Sequence, residues 1–167
     1  DFLKKKDDGK KGSTPPPADR KVAGHAKVVA DKRAQTYDRM ESLQALAEMR
    51  SAESAAALLK RFGFSIDPSI TDSDEKDLAF EGIVAAGKPG ELPKDEKERE
   101  QALAEADERR EKVVEATRLF CERAEQMTWP IKVLRALLDD DGYRDELLGL
   151  LERFDIEYSR NVEPKIQ

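Results

Sequence analysis

The side chains that can do chemistry in this chain are few in kind. There is one cysteine, Cys121, and one histidine, His25, against 36 aspartates and glutamates in 167 residues. A lone cysteine closes no disulfide, and with a lone histidine it completes none of the Cys/His zinc sets. A nucleophilic thiol needs cationic neighbours or a helix N-terminus to lower its pKa. Cys121 instead has Glu122 beside it and Glu125 close by, which would raise it. His25 lies near a tail of disordered composition and is expected to be an unpaired surface imidazole. Carboxylate pairs suited to acid–base work are unavoidable at this acid content, so no single pair stands out.

Two short segments invite a ligand reading and fail it. Asp139, Asp140, Asp141 and Gly142 suggest a calcium loop. With Gly142 at the required sixth position, however, the first and twelfth places fall on Leu137 and Leu148, where oxygen ligands are needed. The segment reads as a solvated turn and helix cap. Lys88-Pro89-Gly90-Glu91 lacks the glycine spacing and terminal Lys-Ser/Thr of a phosphate-binding loop. The expectation is therefore no catalytic residue, no metal ligand and no cofactor.

What remains is recognition chemistry. Trp129 is the only tryptophan, and aromatic anchors supply large contact area at protein interfaces. Packing in a turn between helices competes with that role. Lys76, Lys132 and Arg135 are candidates for an exposed binding face shared with Trp129.

These residues must be positioned by helices. Apolar spacing follows a helical period throughout, and no run alternates as a strand would. The spacing predicts one long helix over residues 22–49, with Tyr37, Met40, Leu43 and Ala47 on one face. Ala55, Leu58, Leu59 and Phe62 form a second stripe. Leu78, Ala79, Gly82, Ile83 and Ala86 form a third, with Asp72 or Asp74 as its cap and Gly87 as its stop. Phe80 and Val84 lie off that stripe, so this helix must be covered on more than one side. Val113, Thr117, Phe120, Ala124 and Met127 make a fourth, and Ile131, Leu134 and Leu138 a fifth, opened by Pro130 in a first turn. Leu147, Leu150, Leu151 and Phe154 complete the set.

An internal repeat is visible in these stripes. Leu58-Leu59-Lys60-Arg61-Phe62 recurs as Leu150-Leu151-Glu152-Arg153-Phe154. Phe120 and Pro130 recur 34 residues later as Phe154 and Pro164. Phe62 and Phe120 are 58 apart, which exceeds 34 by 24, the length of the charged stretch 88–111. That stretch is read as a helical insertion with no core face. The unit is a helix A ending in Phe, a loop of about ten residues, and a helix B.

On Ser51-Ala-Glu-Ser-Ala-Ala-Ala-Leu-Leu-Lys60 and Thr71-Asp-Ser-Asp-Glu-Lys-Asp-Leu-Ala-Phe-Glu-Gly-Ile-Val-Ala-Ala-Gly87, the sequence resembles the bacterial HEAT-repeat proteins. The likeness includes the short-repeat kind related to the phycobilin-lyase repeats, with Lys76 where the family usually carries Arg. It implies an all-α fold, an α-solenoid of stacked antiparallel helix pairs over residues 21–167. It also implies a non-catalytic scaffold or adaptor whose partner is another protein, and no small-molecule substrate. The lyase-related branch implies, as an alternative, an enzyme or enzyme accessory.

Charge supplies a third reading. Residues 1–39 hold 11 Lys/Arg against 6 Asp/Glu, a surplus of +5 that leaves −11 on the rest of a chain whose total is −6. Residues 1–20, with lysine runs and Pro15-Pro16-Pro17, read as a disordered basic tail. Such a tail attracts nucleic acid or an anionic membrane. Its aspartates and the absence of interleaved aromatic rings make nucleic acid the weaker choice. No apolar run reaches transmembrane length, and no secretory signal is seen, so a cytoplasmic location is expected. The chain is expected to be a piece of a longer array cut after residue 167. It should then self-associate through the apolar stripe of its last repeat.

Overall fold

The computed structural model describes residues 17–161, with side chains from Arg20 to Arg153. Among these residues there are seven helices and no strand: α1 (Pro17–Val29), α2 (Thr36–Met49), α3 (Ala52–Leu59), α4 (Ser69–Ala86), α5 (Glu96–Arg123), α6 (Thr128–Leu137) and α7 (Asp140–Asn161). None of them is long and apolar enough to cross a membrane. Of the expected tail, residues 1–16 lie outside the described residues, and Pro17 already opens α1.

The long helix expected over residues 22–49 is two helices. No Gly or Pro interrupts residues 25–49, so the break at 30–35 has a tertiary cause. The Arg39 guanidinium donates to the carbonyls of Asp31, Lys32 and Ala34, satisfying acceptors that a continuing helix would have taken up. Asp31 closes the turn by accepting from the Arg33 amide at 2.9 Å. The expected face also rotates. Arg39, Ser42, Leu43 and Leu46 are the buried positions of α2, and Tyr37 is 76% exposed.

The other helix ends follow local chemistry more closely. Ser51 and Ser54 exchange side-chain and backbone hydrogen bonds at 3.0 Å to start α3. Gly87 ends α4, and Pro130 sits in the first turn of α6. Asp95 caps α5 by accepting from the Glu98 amide at 3.1 Å. Helix α4 begins at Ser69, so Asp72 and Asp74 lie inside it rather than at its cap. Helix α5 ends at Arg123, which puts Ala124 and Met127 beyond it.

Each helix packs on its predecessor, α3 lies between α1 and α5, and α4 lies between α2 and α6. Helix α4 therefore needs apolar residues on several sides, and Leu78, Phe80 and Val84 pack on the core beside its fully buried Ala79, Ile83 and Ala86. Close approach is set by Gly82. A Cβ there would stand 2.7 Å from Leu58 Cδ1 and 2.8 Å from Ala47 Cβ, too near for any side chain.

Residues 96–111 of the expected insertion form the first turns of α5, continuous with the core-facing turns after them. They are mostly exposed, but Ala106 is buried and Arg109 donates to the Ala86 carbonyl at the end of α4. The last stripe divides. Leu150 is buried, while Leu151 is 59% exposed, unlike its repeat counterpart Leu59. Helix α7 also runs past Phe154 instead of ending there. Gly63 follows Phe62, whereas no Gly or Pro occurs from 155 to 163. Pro164 and Ile166, expected to open a further helix, lie outside the described residues.

Candidate interaction groove

The core stripes of α2 and α4 carry charge where aliphatic residues would be ordinary. Arg39 precedes Leu43 by one helical turn, and Glu75 precedes Ala79 likewise, so both point inward. Arg39, Arg61, Glu75 and Lys76 are each 5% exposed or less. Glu75 Oε1 accepts from Arg39 Nε at 2.8 Å and from Arg61 Nε at 2.9 Å. Asp72 accepts from Arg61 at 2.6 Å and from Lys76 Nζ at 2.8 Å. Three cations thus face two carboxylates in the interior. Desolvating such charges costs several kcal/mol each, and only close pairing offsets it.

This cluster fixes a loop. Arg61 Nη1 donates to the Phe64 carbonyl at 2.8 Å, and its guanidinium lies 4.3 Å from the centre of the Phe64 ring. Lys76 Nζ reaches Ser65 Oγ at 3.0 Å, and the Ile66 amide donates to Asp72 at 3.1 Å. Every residue from Phe64 to Ile66 is therefore tied to one of these paired ions. Lys76, expected on an exposed binding face, is buried here because Asp72, four residues earlier on α4, and Ser65 draw its ammonium inward.

Burial by itself would raise the Asp72 carboxyl, but hydrogen bonds from Lys76, Arg61 and the Ile66 amide outweigh it and hold the group below its ordinary value. A depressed folded pKa contributes stability that is complete above the unfolded value of about 4 and is lost as pH falls through the lower folded value. Thermal melts below about pH 4 should therefore fall more steeply for the parent chain than for Asp72→Asn. Parallel curves would show that Asp72 is not the acid-sensitive group.

The tied loop is one wall of a groove of about 600 Å³. Phe62, Phe64 and Phe120 give it aromatic surface, and Lys32 and Arg123 stand on its rim with Glu125. Phe62 is the hub of a wider aromatic cluster. Its ring stacks on Trp129 at 5.8 Å and meets Phe120 edge-on at 6.5 Å, while Phe80 meets Trp129 at 6.2 Å.

Trp129 is thus half-buried against Phe62, and Lys132 covers it with its ammonium 4.3 Å from the ring centre. Arg135 lies one turn further along α6, 2.9 Å from Asp140 and 5.0 Å from the centre of the Tyr143 ring. The structure brings Trp129 and Lys132 together and keeps Arg135 on the same exposed side of α6. Lys76 belongs to the interior. Lys32, Phe64 and Arg123 were not singled out by the sequence, and Phe62 was marked there only as a core and repeat residue. The available signal was charge on an apolar stripe at Arg39 and Glu75, which marks the cluster but not the groove beside it.

The Cys121 thiol is buried at 1% exposure. Burial pushes the Cys121 thiol up to about 11, and the Glu146 carboxylate adds to this, rather than Glu122 and Glu125 as the sequence suggested. His25 is not an unpaired surface group. Its Nδ1 lies 2.9 Å from Ser42 Oγ and links α1 to α2. A hydroxyl beside an imidazole is the start of an activated nucleophile, and Ser42, 5% exposed, lines with His25 an open hollow between α1 and α2. Asp139 accepts from the Gly142 amide at 2.7 Å and so serves the start of α7. Among the described residues no three His, Cys, Asp or Glu side chains are placed to hold a metal ion. No protein-family model matches the chain, and no curated protein or solved structure shows significant similarity to it.

Proposed function

We propose that this chain is a non-catalytic protein-interaction scaffold, an α-solenoid of HEAT-like helix pairs that receives a partner protein in the groove between its inter-helix loops. The observation that carries this reading is the buried ionic cluster behind residues 64–66. Charges buried at this cost hold a surface loop in one conformation, and a preformed wall saves the ordering entropy that binding would otherwise require. The packing of α3 between α1 and α5, and of α4 between α2 and α6, supports the solenoid. On this reading α1 and α2 are a further pair in the series.

A photoreactive phenylalanine in place of exposed Gln126, at the groove, should form a covalent adduct with a partner in cells. The same group at exposed Glu100 should form none. Equal labelling from both sites, or none from either, would remove the basis for the reading. Self-association through α7 is a second reading, favoured by Leu148 and Leu151 at 52% and 59% exposure beside buried Leu150. Sedimentation velocity should then show a concentration-dependent species that Leu151→Lys abolishes, and a monomer at all concentrations would dismiss it.

A further inference from the structure

Resting on the reading of the groove as a binding surface, we propose that its occupant is an acidic segment of a partner protein carrying one aromatic or branched apolar anchor. The anchor has a defined seat. Phe62 is 6% exposed and forms the back of the groove, with half-buried Phe64 and Phe120 beside it. Side chains held this way offer apolar area at small entropic cost, because Phe62 is clamped by Trp129 and Phe64 by Arg61.

The sign of the partner follows from the rim. Lys32 comes from the α1–α2 turn and Arg123 from the end of α5, so two separate elements place a cation at the groove. Both are exposed, and neither has a carboxylate within 4 Å among the ion pairs of the described residues. Glu125 is the one carboxylate lining the groove. Behind the wall the buried cluster adds three cations against two carboxylates. A partner carboxylate thus meets a net positive rim and a net positive wall, whereas a lysine-rich segment meets like charge from both.

A long polyanion fits less well than a short acidic segment. Nucleic acid presents a phosphate charge about every 1.7 Å of duplex. Beyond the groove it would run against a body that carries −11 outside residues 1–39. A peptide with a few carboxylates around one anchor confines its charge to the groove.

Trp129 is the only tryptophan and stacks on Phe62, so its emission reports on the groove wall. The test uses short synthetic peptides that pair one Phe with Asp and Glu, one Phe with Lys, or Asp and Glu with no aromatic residue, and a single-stranded oligonucleotide. Trp129 fluorescence and the amide resonances of residues 63–65 and 123–126 are followed. The acidic Phe peptide should bind roughly tenfold more tightly than the other three and weaken with added salt. Lys32→Glu with Arg123→Glu should reduce its affinity by roughly tenfold at unchanged melting temperature. Lys97→Glu on the exposed start of α5 should leave it unaltered. The proposal is overturned if the lysine peptide or the oligonucleotide binds as tightly, if the double charge reversal changes nothing, or if no probe shifts the groove resonances. A photo-adduct from position 126 alongside failure of the acidic peptide would refute this partner class and leave the scaffold reading standing. Loss of both would remove both.

Discussion

Glu75→Ala should destabilise the fold by about 3–5 kcal/mol, because it strips the shared carboxylate from two buried arginines, leaving Arg61 with Asp72 alone and Arg39 with no carboxylate among the ion pairs of the described residues. Arg39 and Arg61 are 2% and 0% exposed, and each donates to Glu75 within 2.9 Å. Removing one member of a buried ion set leaves the desolvation of the others uncompensated. A loss of this size is a large part of the stability of a small domain, so partial unfolding at room temperature is an expected result. Urea titration measures it.

The informative contrast is a triple variant, Arg39→Met, Glu75→Leu and Arg61→Met, which replaces the set with apolar side chains of similar reach. It should sit much closer to the parent in stability than Glu75→Ala does, since buried ion sets give little net stability over well-packed apolar ones. It should also release Phe64, which loses both its carbonyl donor and the cation over its ring. Amide exchange at residues 63–66 should then speed up without global unfolding. If Glu75→Ala cost less than about 1 kcal/mol, the charges would be reaching water and the fixed-wall argument would fail.

Phe62→Ala should cost about 3–5 kcal/mol, the usual range for deleting a buried phenylalanine without backbone rearrangement. Its ring is 6% exposed and holds Trp129 and Phe120 at 5.8 and 6.5 Å. The void it leaves joins the groove, so Trp129 gains water contact on the face that was stacked. The emission of Trp129 should shift to the red in the native state, before any denaturant is added. Phe62→Leu should keep most of the stability and lose the stacking, which separates packing from aromatic contact. An unchanged spectrum in Phe62→Ala would mean that Trp129 is held by Phe80 and Lys132 alone.

How far the site was legible depends on the interaction considered. The stripe through Leu58, Leu59 and Phe62 marked Phe62 as core, and its place in a repeating pattern was visible as well. Its role as the hub between Phe120 and Trp129 was not, because partners 58 and 67 residues away leave no trace in local spacing. The place of Lys76 in a helix-B pattern predicts an exposed cation. Helical period says which face a residue occupies, but not that Asp72 and Ser65 will draw its ammonium inward.

By itself the sequence determined that the chain is helical, that α4 stops at Gly87, that α6 opens around Pro130 and that α4 must be covered on several sides. These are local matters: backbone freedom at glycine, a missing amide at proline, and apolar residues at the helical period. Only the tertiary structure decided that residues 22–49 fold as two helices. The break carries no glycine or proline, and it exists because Arg39 spends its donors on the carbonyls of Asp31, Lys32 and Ala34. Arg39 is held in place to do so by Glu75, 36 residues away on another helix. A carbonyl satisfied by a side chain that a distant carboxylate positions is a property of the packed molecule, and no window of sequence contains both halves of it.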